Sequence, residues 1–194
     1  MRPIAFDQML TVEQWERVRP VLRPLFIREK DRRRFTAGGH FTFLFENAQT
    51  VWYQVAEMIR VEKIVNPKVV QDELDTYNEL LPQGYELTAT LLIEYPEERE
   101  RDAALRALVG IQHHLWLGLG DKRVPATFEN RQIADEHAIS SVQFVRFALE
   151  RDDVDRLAAL ADAGALTIEI DHPAAPVSAP LPPGLARALA ADLR

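Results

Sequence analysis

The residues best equipped for chemistry gather in one stretch, where Glu57, Arg60 and Glu62 follow Asn47, Thr50 and Gln54. A carboxylate can serve as a base or a metal ligand, and a guanidinium can hold an anion. The spacing predicts a helix over 49–65, stopped by Asn66-Pro67 because the residue before a proline avoids the α region. At 100° per residue, Val51, Val55, Met58 and Ile59 share one face, and Thr50, Gln54, Glu57 and Arg60 gather on the other. Two readings of that polar stripe stand. It is either a solvated face with one Glu57–Arg60 pair, worth about 0.2–0.5 kcal/mol, or the polar wall of a pocket with Glu57 as base or ligand and Arg60 as anion holder. Glu62 falls on the apolar side in this projection. A bare buried carboxylate costs several kcal/mol, roughly, so Glu62 is expected to pair with an arginine of Arg32-Arg33-Arg34, with a ligand or catalytic role as the alternative. Tyr77, Glu86 and Glu94, from neighbouring elements, complete the candidate polar site.

The histidines offer less. His113 and His114 are adjacent on a predicted strand, so they point to opposite faces and do not chelate one metal together. His40 follows Gly38-Gly39 with Glu46 as its expected neighbour, His137 sits in a predicted loop, and His172 ends a strand. Each is read first as a packed neutral ring. With no cysteine in the chain, a thiolate nucleophile, a disulfide framework, a Cys-type zinc and a Cys-held iron–sulfur cluster are excluded. The sequence also lacks H-E-x-x-H, G-x-S-x-G and the phosphate-binding G-x-x-x-x-G-K-[ST]. No cofactor signature emerges.

Around these residues the elements follow from pattern and punctuation. Thr11 caps a short helix with Val12, Trp15 and Val18 on one face, and Pro20 ends it. A second helix runs from Pro20 or Pro24 to about Arg33, proline being tolerated in a first turn. Residues 40–45 alternate as a short strand or extended segment, and 67–81 form another helix. Beyond Pro82-Gln83-Gly84 the pattern reads strand 86–95, helix 98–109, strand 113–119, a charged loop over 120–139, strand 141–149, helix 152–161 and strand 166–171. That order is β-α-β-β-α-β. The expected fold class is therefore α+β, with N-terminal helices packed on a four-stranded antiparallel ferredoxin-like sheet. The expected organisation is one integrated domain: a helical part over 1–84, the ferredoxin-like part over 85–171, and a Pro/Ala-rich connector with a C-terminal helix over 172–194.

Bulk properties agree with a globular chain. At 194 residues, 47% hydrophobic and 27% charged, it can bury a full core. The net charge of -7 disfavours nucleic acid as a partner. The mixed run Arg28–Arg34 reads as a helix C-terminus rather than a basic patch. No window is apolar enough for a membrane span, and the first residues lack a secretory pattern, so a cytoplasmic protein is expected.

The chain resembles a family of bacterial proteins catalogued as domain of unknown function 3501. The resemblance rests on Arg33-Arg34, on T-F-L-F-E-N over 42–47, on Thr50, Gln54 and E-M-I-R-V-E over 57–62, and on Glu73 and Tyr77-Asn78. It continues through Leu81-Pro82, L-T-A-T-L-L-I-E over 87–94 and S-S-V-Q-F-V-R-F over 140–147. It implies an accessory or interaction role beside a rubrerythrin-like or iron–sulfur oxidoreductase-like protein, in a redox or oxidative-stress system. Two alternatives come from the residues themselves: a small-molecule-binding protein or enzyme with a Glu/Arg pocket, and a carboxylate/histidine metalloprotein holding Fe or Mn.

Overall fold

In a computed structural model the described residues are 1–129 and 137–193; part of the loop expected over 120–139 lies outside them. The chain divides into two compact units: Met1–Arg32 with Glu46–Gln83, and Arg33–Phe45 with Gly84–Arg194.

The first unit is helical. Helix α1 (Val12–Arg32) starts at a capping box in which Thr11 N donates to Gln14 Oε1 and Gln14 N donates to Thr11 Oγ1. It is one helix of 21 residues, where the prolines suggested two. Pro20 and Pro24 both lie on its exposed side, so the carbonyls they leave without an N–H partner can face water. The opposite side buries Trp15 and packs Val18, Leu22, Phe26 and Ile27 into a cluster with Trp52, Tyr53 and Ala56 of α2 (Ala48–Val61). That packing offsets the local cost. Helix α2 stops four residues short of the expected end. Lys63 adopts φ 53°, Lys63 N donates to Arg60 O and Ile64 N donates to Ile59 O, which is the Schellman pattern with lysine at a position that favours glycine. Helix α3 (Pro67–Asn78) follows, capped by Asn66.

The second unit corrects the expected sheet. Eight strands, not four, run β1 (Arg34–Ala37), β2 (Phe41–Phe45), β3 (Glu86–Ile93), β4 (Leu115–Leu119), β5 (Lys122–Phe128), β6 (Val142–Ala148), β7 (Leu166–Ile170) and β8 (Val177–Pro180). All neighbours pair antiparallel, in the order β1-β2-β3-β6-β5-β4-β7-β8. The ferredoxin-like assignment fails because β5 was read as loop, β8 as connector, and β1 not at all. With those strands added the sheet curls into a nearly closed barrel whose edge strands β1 and β8 approach each other. Phe41, Phe43, Phe45, Leu91, Leu117, Phe147 and Ile168 fill one core together with residues of α5 (Arg151–Ala163) and α6 (Pro183–Asp192). The remaining helix, α4 (Glu98–Ala107), follows β3.

Closure is tight at Gly38, which has φ +58° and whose missing Cβ would stand 2.5 Å from Val177 Cγ2 of β8. Gly39 has φ +78° with open space around it. Gly39→Ala should therefore cost only the left-handed penalty, about 1 kcal/mol, whereas Gly38→Ala adds a steric clash and should cost about 2–3 kcal/mol. Equal urea midpoints for the two variants would mean that the β8 contact contributes nothing.

Candidate functional site

Glu57 and Arg60 do meet, and the rest of their surroundings explains how. The Glu57 carboxylate accepts from Trp15 Nε1 at 2.9 Å, from Arg19 Nε at 2.7 Å and Nη2 at 3.0 Å, and from Arg60 Nη2 at 3.1 Å. Arg19 and then Trp15 and Arg60 hold its pKa down at about 2 against the opposing effect of burial. Arg60 also reaches Glu16 at 3.5 Å. Every lone pair of Glu57 that faces the protein is thus occupied, and the carboxylate acts as a clamp between α1 and α2 rather than as a base.

The upstream residues form a second buried network in the same unit. Asn47 is the N-cap of α2, with Oδ1 accepting from Gln49 N and Thr50 N, while its Nδ2 donates to Glu29 Oε1 at 3.0 Å. Thr50 Oγ1 donates to Glu46 Oε2 at 2.5 Å, and Gln54 Nε2 donates to Glu46 Oε1 at 3.2 Å. Glu46 is only 2% exposed, a burial that the sequence reading did not assign to it.

Glu62 departs from expectation. It is the C-cap of α2, still αR with its N–H on Met58 O, and its side chain is exposed. Arg32 pairs instead with Glu29, and the buried Arg33 forks onto Asp192 at 2.6 and 2.9 Å. Glu62 does act on its surroundings: burial first, then the charges of Glu62 and Asp72, push the Glu73 carboxyl up, and burial followed by Glu73 and Glu62 does the same to the Tyr77 hydroxyl. The carboxylates of Glu62, Asp72 and Glu73 thus lie close enough to act on one another, with Lys63 and Lys68 in the same stretch of chain.

Glu86 and Glu94 belong to the barrel unit. Glu86 bonds Arg146 at 2.9 Å, and Arg146 also holds Glu129 at 3.0 Å. Glu94 is exposed at the end of β3. His40 is not Glu46's partner: its Nδ1 meets Glu94 O at 3.0 Å and its ring stacks on Tyr95. His113 lies in a 3-10 turn and His114 precedes β4, so neither is on the strand. His114 Nδ1 meets Asp171 Oδ1 at 2.8 Å, and Arg123 and Trp116 bond the other oxygen, tying β4, β5 and the end of β7. His172 is buried, with Ala174 N donating to Nδ1 and Nε2 facing Val109 O, so the ring proton sits on Nε2. Among the described residues no three His, Cys, Asp or Glu side chains converge as a metal site would require.

The helical unit also carries an apolar cleft. Phe6, Met9, Leu10 and Val12 from the N-terminal segment, Ile59, Ile64 and Val65 from the end of α2, and Pro67 and Val70 from α3 line a cleft of about 420 Å³, with Thr11 and Glu13 as polar rim residues. Local chemistry holds the walls. The Schellman turn aligns Ile64 with Ile59, Asn78 bonds both Ile4 N and Ile4 O, and Trp52 Nε1 donates to Gln8 O at 3.0 Å. Val65 is 84% exposed and Phe6 44%. Periodicity does not find this cleft, because Met9, Leu10, Ile64 and Val65 lie outside helices and most of the other walls come from the ends of three different ones.

Comparison with known proteins gives relatives without activities. A family described as protein of unknown function (DUF3501) matches residues 3–193. The chain is similar to a novel protein of unknown function from Burkholderia pseudomallei, solved by crystallography, with 38% identity over 100% of both chains and a TM-score of 0.89. No curated protein matches.

Proposed function

The chain belongs to the DUF3501 family, and from that premise we propose that it is a non-enzymatic interaction protein whose helical unit receives an apolar, basic segment of a partner protein. The observation that carries this reading is the cleft beside Val65. A cavity of about 420 Å³ suits a few anchor side chains, and the exposed Val65 and Phe6 on its wall leave apolar surface for a partner to cover. The negative field of Glu62, Asp72 and Glu73 selects for basic residues flanking the anchors. The Glu57–Arg60 pair does not support the small-molecule alternative, since its bonds go to Arg19, Trp15 and Glu16. No helix is long and apolar enough to cross a membrane among the described residues. A partner of the kind the family resemblance implies, rubrerythrin-like or iron–sulfur oxidoreductase-like, remains part of the proposal.

The test is a titration read by fluorescence anisotropy, with a labelled amphipathic helical peptide carrying leucines on one face and lysines on the other. Purified proteins of the two partner classes are then titrated in the same way. Val65→Asp should weaken binding at least ~10-fold, the scale of a central anchor. Reversing the charge of Glu62 and Glu73 to lysine should abolish its salt dependence. Peptide binding that survives Val65→Asp, or that a polar peptide of equal charge matches, overturns the reading.

A further inference from the structure

We propose that the barrel unit carries a second, separate site, for a zwitterionic α-amino acid with an apolar side chain. Three adjacent strands bring its parts to one end of the sheet. His40 precedes β2, Glu94 follows β3 and Ser141 precedes β6, held in register by Glu94 N donating to His40 O and Ile93 N donating to Ser141 O, both at 2.8 Å. With Gly39, Ile93, Tyr95, Pro96 and Arg101 they line a cleft of about 570 Å³.

The charges in this cleft are opposite and unspent. Arg33, Arg146 and Arg156, the other described arginines of this unit that are at least partly buried, each pair with a carboxylate. Arg101 is half-buried, yet its guanidinium has no ion pair or hydrogen bond among the described residues, and the Glu94 carboxylate likewise has none. Two opposite charges thus share one cleft with neither spent on the other, which leaves both for a molecule carrying an anion and a cation. An α-carboxylate on Arg101 and the Ser141 hydroxyl, and an α-ammonium on Glu94, would complete each group with a charge-assisted hydrogen bond.

The remaining wall sets the side chain. The His40 and Tyr95 rings stack at 4.0 Å with 6° between their planes, and Ile93 and Pro96 add apolar surface. His40 Nδ1 faces a carbonyl, which only accepts, so Nδ1 carries the proton and Nε2 is left for solvent or a bound group. An aromatic or branched aliphatic side chain fits this platform better than a charged one.

The probes are L-phenylalanine and L-leucine, compared with N-acetyl-L-phenylalanine, which lacks the ammonium, and L-phenylalaninamide, which lacks the carboxylate. Binding is read by backbone-amide shifts in the full-length chain. Shifts clustered at residues 39–41, 93–96 and 141 are expected with the free amino acids, with affinity at least ~10-fold lower for either blocked form. Arg101→Met should make L-phenylalanine and its amide equivalent, and Glu94→Gln should do the same for L-phenylalanine and its N-acetyl form, with unchanged circular dichroism. No shift at 10 mM of either amino acid, or equal binding of the blocked forms in the wild-type chain, overturns the proposal. Neither result bears on the cleft beside Val65.

Discussion

Trp15→Ala should lower the stability of the helical unit by about 3–5 kcal/mol, the range for truncating a fully buried large aromatic. Trp15 is 1% exposed. Its ring meets Trp52, Phe26 and Tyr53 edge-on, at centroid distances of 5.3, 6.1 and 6.2 Å, while Phe26 stacks on both Trp52 and Tyr53. Removing it opens a hole at the centre of the α1–α2 contact and strips one donor from Glu57. Trp15→Phe separates the two effects, because it keeps most of the ring volume and loses only the indole N–H, so it should cost about 1–2 kcal/mol. The measurement is urea unfolding followed at 222 nm. If alanine and phenylalanine cost the same, the packing argument fails and the hydrogen bond alone matters.

This cluster also shows what the sequence discloses and what it hides. Trp15 and Val18 are legible as one face of a helix, but Pro20 argued for a break that α1 does not make. The intrinsic penalty is real; burial of Leu22, Phe26 and Ile27 outweighs it. In the barrel, β3, β6 and β7 announce themselves by alternation and β-branched or aromatic content. Strand β5 does not, because Pro125 demotes it and its charged flank looks like loop. Its best clue was the two-residue Gly120-Asp121 connection between alternating segments, which is hairpin chemistry. Strand β8 is short and ends in proline, so its pairing with β7 is set by tertiary context. Missing edge and hairpin strands turned a barrel into a ferredoxin-like sheet.

The candidate site divides the same way. The Glu57–Arg60 pair is readable from i,i+3 spacing on one helix. Trp15 and Arg19 lie on another helix, so the clamp they close is invisible to spacing. Glu62 misleads for a third reason: it keeps its helical position, with its N–H on Met58 O, but the last turn of α2 is uncovered there, and Val61 and Glu62 are both exposed. The Val65 cleft grows out of the termination at Lys63, which leaves Ile64 and Val65 in the connection to α3 instead of winding them into another helical turn.

The Glu57 clamp carries the clearest acid signature in the helical unit. Its pKa is lowered from 4.5 to about 2, so folding favours the ionised form, and the stability it contributes is fully present above pH 4.5 and is lost as the pH falls toward 2. The full shift sets an upper bound of roughly 3 kcal/mol, and with 21% of the side chain exposed about 2 kcal/mol is expected after screening. Glu57→Gln should therefore be about 2 kcal/mol less stable than wild type at pH 7, and the gap should narrow steadily below pH 4.5 as the wild-type carboxylate takes up its proton. Stability curves from pH 7 to pH 3 for the two proteins decide the matter. Parallel curves would show that Arg19 and Trp15 bind a neutral amide as well as a carboxylate, and the electrostatic account of the clamp would have to be abandoned. Converging curves would fix Glu57 as a structural anion that joins α1 to α2.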